Sequence, residues 1–431
     1  MMRGLSWHRL PTLRRPCSTK STTAVVKGIN DVQKLYMTHP WSPGSIFFQP
    51  EGTHIFSKLL AFVRAQMTQY GFKEVVTPQL YKKDLWQMSG HWDHYRDDMF
   101  GVCDGHDGEP EYSLKPMNCP GHCLLFASRE RSFRDLPVRY ADFSSLHRNE
   151  ASGALQGLTR VRRFHQDDGH IFCRPDQVEA EIEKSIALVG TVYEIFGLEY
   201  EMKLSTRPEG YMGELDLWNR AEEGLKSAII KSKKPLLINE GDGAFYGPKI
   251  DFVVKDNLGK KHQAATIQLD FQLPRNFNLS YDDHTGHGVP VIVHRAILGS
   301  VERFMALLMD HYSGKWPFWL NPRQVAVIPV SAKAQDYAET VAAQLSNAHS
   351  GHGTAPLNAE HYCVELYDQN EPLSGRIKRA TDVSASYVVV VGEKEAETKT
   401  ISVRTRGQRK AVTMTVPELL AEFKHLVETY Q

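Results

Sequence analysis

The sequence predicts an α+β fold in two folded units, and three features of the 431 residues point there. Residues 139–170, RYADFSSLHRNEASGALQGLTRVRRFHQDDGH, read as strand, loop, strand. No GxGxxG or GxxxxGK phosphate loop is present to open a doubly wound parallel sheet. Beyond the proline-punctuated WPFWLNPR, residues 316–323, short apolar strands alternate with helical stretches, as in a small α/β unit. The chain therefore divides into a leader over 1–30, a main unit over 31–321 and a smaller unit over 322–431.

The leader carries Arg3, Arg9, Arg14, Arg15 and Lys20 interleaved with Leu5, Trp7, Leu10 and Leu13, and has no acid before Asp31. That composition suits a disordered mitochondrial transit peptide, cut before Asp31 and addressed to the matrix; a plain basic arm is the bland alternative. Residues 42–52 form a turn and short strand. Residues 53–70 have helical apolar spacing through Ile55, Leu59, Leu60, Phe62 and Val63, and a strand over 72–77 ends at Pro78.

In the strand–loop–strand segment, Arg148 and Glu150 close the first strand, and a Gly/Ala/Ser loop follows. The return strand alternates Arg160, Arg162, Phe164, Gln166, Asp168 and His170, which places all six on one sheet face. Cations, a ring, an amide and one carboxylate make a poor packing surface but a good floor for a nucleotide and a zwitterion. Taken alone, the pattern also fits a solvated hairpin.

Two helical stretches follow between 178 and 230, separated by a strand over 199–205, and more strand pattern covers 244–273. An apolar strand over 289–293 runs into His294 and Arg295; a Gly299-Ser300 turn leads to a helix that carries Arg303 and buries Phe304, Leu307 and Leu308. In the smaller unit, VAVIPV, a helix over 334–348, a strand over 363–367, a helix over 375–380 and YVVVVG alternate. Its basic clusters, Arg404, Arg406, Arg409 and Lys410, and Arg376, Lys378 and Arg379, are either RNA contacts or solvated faces.

Fifty-one basic and 51 acidic side chains cancel, so polyanion binding must come from local patches. No apolar run approaches the roughly 20 residues of a membrane span, so no membrane partner is expected. Six scattered cysteines show no disulfide-framework spacing, which suggests a reducing compartment.

Four words, MNCPGH, FHQDDGHIF, GAFYGPKI and HRAILGS, together with HRNE and GSVER, resemble the class II aminoacyl-tRNA synthetases and the threonyl-tRNA synthetases among them. The resemblance runs from about residue 42 to the C-terminus. It implies an antiparallel-sheet catalytic domain, a C-terminal anticodon-binding domain, and a homodimer joined through the helix–strand–Pro78 element. The family's longer members carry an N-terminal editing domain; no room for one exists before residue 42, which implies no proofreading in cis at a separate site.

By the same resemblance Cys119, His170 and His294 bind one zinc per catalytic site, leaving an open position. On residue type alone, CPGHC could instead form a local site from Cys119, His122 and Cys123. Threonine and valine are nearly isosteric, and an apolar pocket separates such pairs only about a hundredfold. Chelation of the amino and hydroxyl groups supplies the missing selectivity; serine, lacking a methyl worth roughly 1 to 3 kcal/mol, should be the main error. Asp168 accepts the hydroxyl proton, Tyr246 and Gln166 orient the substrate, and Met117 and Gln268 line the pocket. For ATP, Arg148 holds the α-phosphate and substrate carboxylate, Phe164 stacks on adenine, Glu150 and Gln263 contact the nucleotide, and Arg160 and Arg303 hold the outer phosphates, bridged by Mg2+. His91 of SGHW lies near the attacking tRNA hydroxyl, with a general-base role.

Two other readings stand beside this one. A noncatalytic RNA-binding descendant would tolerate damage to these motifs, yet Arg148, Glu150, Phe164, Asp168 and Arg303 are all present. A zinc hydrolase built on the Cys119/His170/His294 trio would need no ATP and leaves the arginines without a task.

Overall fold

Long runs of alternating or continuous apolar residues build the central sheet of the computed structural model, which describes residues 22–103, 108, 110–284, 286–346 and 361–431. Its strands are Lys73–Glu74 (β1), Val138–Asp142 (β2), Ser145–His147 (β3), Arg163–Cys173 (β4), Tyr200–Ser205 (β5), Leu237–Asn239 (β6), Lys249–Lys255 (β7), Lys261–Asp270 (β8) and Val291–Ser300 (β9). They lie in the order β6-β5-β7-β8-β9-β4-β2-β1, with β3 paired to β4. Every neighbour is antiparallel except the outermost pairs, β5/β6 and β1/β2. The α+β class and the antiparallel catalytic sheet are thus as the sequence implied.

Six longer helices accompany it: Thr22–Gln33 (α1), Pro50–Gln69 (α2), Cys119–Ala127 (α3), Val178–Ile195 (α4), Leu215–Lys231 (α5) and Val301–His311 (α6). Helix α4 buries Ile182, Ile186, Val189 and Tyr193, spaced three and four apart, into the main core. The Tyr193 hydroxyl donates to the Ile297 carbonyl at 2.9 Å. Asp167 also faces this side, accepting from the amides of Ile297 and Leu298 at 2.8 and 3.0 Å. These bonds hold an irregularity of β9, whose register against β4 shifts between Ala296 and Ser300. Gly299 sits within it at φ +70°, where a Cβ would lie 2.4 Å from the Ala264 carbonyl oxygen, so only glycine fits. The opposite face of β4, carrying Phe164, Gln166, Asp168 and His170, is left for chemistry.

In the smaller unit Val325–Pro329 (β10), Val364–Leu366 (β11), Tyr387–Val391 (β12), Ile401–Thr405 (β13) and Val412–Met414 (β14) form a mixed sheet in the order β11-β10-β12-β13-β14. Helices Gln335–Leu345 (α7) and Val416–Glu428 (α9) pack on one core with Val325, Val327, Val389 and Val403, and Leu373–Asp382 (α8) covers a second cluster around Ile328 and Tyr367.

Several expectations are corrected. Residues 22–30, expected to be disordered, belong to α1, which buries Thr22, Val26 and Gln33; the rest of the expected leader, residues 1–21, lies outside the described residues. Arg160 and Arg162 precede β4, in a loop, since the chain there bonds to Gly44 and Gln156 instead of a neighbouring strand. The strand over 72–77 pairs only at 73–74, and the supposed 299–300 turn is the end of β9. Arg376 is buried, donating to the Pro329 carbonyl at 2.7 Å, and Arg406 donates to the carbonyls of Ser384 and Trp316 at 3.0 and 2.6 Å. Neither belongs to a free basic patch. Among the described residues no helix is long and apolar enough to cross a membrane.

Candidate functional site

Strand register assembles the site. Pairing of β4 with β9 sets His170 opposite His294, and pairing of β8 with β9 sets Gln268 on the other side of His294. Cys119, at the N-terminal end of α3, completes a buried group whose ligand atoms all lie within 4.8 Å of one another. Cys123 does not join it, packing instead with Phe126 and Phe172. The distant trio, and not the local CPGHC set, is therefore what the fold brings together.

The ring nitrogens show which lone pairs are free. His294 Nε2 donates to Asp270 Oδ2 at 3.0 Å, and Asp270 Oδ1 is fixed by the amides of Gln272 and Leu273. That leaves His294 Nδ1 with a lone pair. His170 Nδ1 lies 2.8 Å from His122 Nδ1, and His122 Nε2 lies 3.8 Å from Asp142 Oδ2, an ion-pair separation longer than a hydrogen bond. Asp142 also accepts from Thr77 Oγ1 at 2.7 Å and from Ser144, with Lys115 Nζ 3.6 Å away. Burial alone would raise its carboxyl, but His122, Ser144 and Lys115 together hold it well below the usual range. A carboxylate there keeps the His122 proton on Nε2, so His122 Nδ1 accepts from His170 Nδ1–H and His170 Nε2 is bare.

Two bare nitrogens then face each other, His170 Nε2 and His294 Nδ1, at 3.0 Å. Burial, with the neighbouring His294 and His122, pushes His170 well below its ordinary pKa, so protonation does not relieve the repulsion. Two nitrogens each 2.0–2.1 Å from a tetrahedral zinc stand about 3.3 Å apart, so the cleft suits such an ion. Burial first and Asp168 second push the Cys119 thiol up, so a thiolate there needs a cation.

Around this centre, Asp168 Oδ2 accepts from Asn118 Nδ2 at 3.1 Å, and its Oδ1 lies 3.9 Å from His170 Nε2. Burial raises the Asp168 pKa. Tyr246 donates to Gln268 Oε1 at 3.0 Å, and its ring centre is 5.5 Å from that of His294. Gly247 allows this approach, since a Cβ there would meet the Leu269 carbonyl oxygen at 1.7 Å. Met117 packs beside Cys119, and Gln166 pairs with Ser300 at the far end of the same face. His91 is fully buried between Trp86 and Phe245, 6.3 Å from Tyr246 between ring centres, with Nδ1 2.8 Å from Ser89 Oγ. Burial lowers it to about 4, against the pull of Asp270, so it is neutral near pH 7.

At the other end of the face three guanidiniums converge. Arg148 stands 5.0 Å over the Phe164 ring and donates to the Pro116 carbonyl at 3.3 Å. Arg160 Nε donates to Glu150 at 2.8 Å. Arg303 reaches the Gln263 carbonyl at 3.3 Å, and its pKa is lowered by burial and then by Arg160 and Arg148. That mutual repulsion marks a site built for anions. The Gln263 side-chain amide donates to Asp251, and its backbone carbonyl accepts from Arg303. Glu302, beside Arg303, is buried and accepts from the His165 backbone at 3.0 Å, pinning α6 to β4.

Sequence reasoning missed Asp270, Asp142, Asn118, Lys115 and the supporting role of His122. Two carried a signal: Asp270 alternates with Gln268 along β8, and His122 lies one helical turn after Cys119.

Residues 101–312 match the tRNA synthetase class II core domain (G, H, P, S and T), and residues 324–426 match the anticodon binding domain. The chain is 46% identical to a mitochondrial threonine–tRNA ligase of Saccharomyces cerevisiae, over 100% of this chain and 98% of that protein. It is 49% identical to "Threonine–tRNA ligase, mitochondrial 1" of Arabidopsis thaliana over 91% of this chain, spanning 54% of that longer protein. A structure titled as the RNA binding domain of threonyl-tRNA synthetase from Cryptosporidium parvum superposes with a TM-score of 0.87 at 41% identity, covering 93% and 98% of the two chains.

Proposed function

Given that the chain belongs to the threonine–tRNA ligases, class II aminoacyl-tRNA synthetases with a C-terminal anticodon-binding domain, we propose that it charges threonine tRNA for mitochondrial translation through a threonyl-adenylate. The observation that carries this reading is one sheet face with three converging guanidiniums at one end and a buried Cys/His/His group at the other. An ATP and an amino acid fit end to end along it.

Arg148 neutralises charge as the threonine carboxylate attacks the α-phosphate, and Arg160 and Arg303 hold the outer phosphates until pyrophosphate leaves. Phe164, whose ring lies under the Arg148 guanidinium, would stack on adenine. Glu150 keeps Arg160 oriented, and magnesium accompanies the nucleotide. Cys119, His170 and His294 would hold zinc, which when bound supplies a Lewis-acid anchor for the amino and hydroxyl groups of threonine together. Asp168 accepts from the substrate hydroxyl, and its burial strengthens that bond. Tyr246 and Gln268, already bonded to each other, bound the amino-group side. In the transfer step a neutral His91 takes the proton of the terminal ribose hydroxyl.

The homodimer reading is supported by β1, the edge strand of the sheet, beside which Val76 is 83% exposed. Arg404, Arg409 and Lys410 remain exposed for RNA contact in the smaller unit.

Amino-acid-dependent ATP–pyrophosphate exchange on the full chain, comparing threonine, serine and valine with and without zinc, tests the proposal. Threonine fastest, serine weak and valine silent is the expected order. A folded, zinc-loaded sample active with none of them sinks the ligase reading.

A further inference from the structure

Helix α1 touches two separate parts of the nucleotide end and is anchored at its other end. At its start, Thr22 is buried and donates through Oγ1 to Asp256 Oδ2. Asp256 organises the β7–β8 turn, accepting from the amides of Leu258 and Lys260 at 3.0 and 2.8 Å and bonding His262 Nε2 at 2.7 Å. His262 precedes Gln263, whose carbonyl holds Arg303. The next residue, Thr23, accepts through Oγ1 from the Gln156 side-chain amide at 2.6 Å. Gln156 in turn bridges to Arg160 through two backbone bonds of 3.0 and 3.3 Å, closing the loop that presents Arg160. Thr22, Thr159, His262, Gln263 and Arg303 share the lining of one small cavity. At the far end, Gln33 donates to the Gly314 carbonyl at 2.6 Å and accepts from Trp316 Nε1 at 2.9 Å, anchoring the helix beneath α6.

We propose that Thr22 and Thr23 are positioning residues for nucleotide binding, tying the Arg160 loop and the Gln263 turn to one helix end, and that removal of the leader must leave Thr22 in place. The inference rests on the outer-phosphate role given to Arg160 and Arg303. The loop is already restrained by its backbone bridge and by the Arg160–Glu150 bond, and the Thr23 anchor restricts further where its arginine points. Thr22 fixes the facing turn through a buried, charge-assisted bond.

The test compares full-length Thr23→Val and Thr22→Val with Thr23→Ser and Thr22→Ser, following hydrogen exchange over 151–160 and 256–263 together with KM for ATP and for threonine. Loss of one anchoring bond is expected to raise KM for ATP roughly three- to tenfold, leave KM for threonine unchanged and speed exchange in the tethered segment, with serine restoring all three. Unchanged exchange and unchanged KM for ATP overturn the proposal, as does an equal rise in both KM values, which marks a general loss of structure. Faster exchange with an unchanged KM for ATP overturns the positioning role through the nucleotide reading of Arg160, while the tether itself stands. N-terminal sequencing of the chain after mitochondrial import should find a start at or before Thr22; a start between 23 and 31 refutes the boundary.

Discussion

Replacing His122 with alanine is expected to weaken zinc binding by one to two orders of magnitude although His122 touches no open ligand position. In the intact site His170 Nδ1–H is satisfied by His122 Nδ1 at 2.8 Å, and both rings are buried. Without His122 that proton has no partner, and an unsatisfied buried donor costs about 1–3 kcal/mol. The ring escapes the cost by moving its proton to Nε2, where it donates to His294 Nδ1 at 3.0 Å. That tautomer occupies both lone pairs a metal needs, so the metal must pull against a satisfied hydrogen bond. The difference of about 1–3 kcal/mol corresponds to roughly 5- to 150-fold, which overlaps the 10–100-fold typical when an outer partner of a metal ligand is lost. Competition against a chromophoric chelator, with metal content measured by mass spectrometry, reads the affinity directly. His122→Asn, whose carbonyl can accept the same proton, should recover part of the loss. A His122→Ala protein that holds zinc as tightly as the parent refutes the tautomer argument, whereas a parent that holds no zinc refutes the metal site itself.

Three further outcomes are expected. Asp168→Asn should lower kcat/KM for threonine in pyrophosphate exchange about 10- to 100-fold, the range of a charge-assisted hydrogen bond, and leave KM for ATP unchanged; equal damage to both would place Asp168 in packing alone. His91→Ala should slow transfer to tRNA in single-turnover assays while sparing adenylate formation, and an equal loss of both steps would remove it from the transfer chemistry. His54, against Cys363 Sγ at 3.4 Å where the two units meet, is lowered by burial and then by Lys58 from 6.5 to about 4. The folded chain therefore binds this proton less readily than the unfolded chain. Stability is full above pH 6.5 and falls as pH drops from 6.5 toward 4, by up to about 3 kcal/mol from this group. Urea unfolding at pH 7 and pH 5 should show a smaller difference in His54→Gln than in the parent, and identical differences would refute the assignment.

The site was legible where chemistry is written into short words, and illegible where it depends on pairing. Cys119, His170 and His294 stand out in the chain, but that His170 faces His294 follows from the β4/β9 register, which no local pattern specifies. The supporting groups were hidden because a buried Lys115 or Asp142 looks in sequence like any surface charge. The same ambiguity worked in reverse at Arg376 and Arg406, which composition offered as RNA contacts and the fold spends on backbone carbonyls. Strand alternation was extended too far at Arg160 because its i, i+2 spacing continues into the loop, where partners and not period decide. Basic composition likewise hid α1: the dense run of cations ends at Lys20, only Lys27 lies within the helix, and the apolar positions that bury it, such as Val26, begin just after Lys20. In the smaller unit β13 carried its signal in ISVRT, with Ile401 and Val403 inward, but neighbouring charges obscured it.

On the proposed reading, strand β9 makes a single gauge of the two substrate positions. His294 lies six residues before Ser300, which caps the helix bearing Arg303 through a bond to its amide at 3.3 Å. On β4 the matching span from His170 to Gln166 is only four residues, and the irregularity around Gly299 absorbs the difference. At about 3.3 Å per residue, the reach from His294 to the start of the Arg303 helix is set by strand backbone, whereas Arg148 and Arg160 come from the loop between β3 and β4. Alignment of a carboxylate with a phosphorus atom tolerates errors well below 1 Å. A length standard of this kind lets the pocket around residues 168, 170 and 294 be rebuilt for a different side chain while the distance to the phosphate grip stays calibrated.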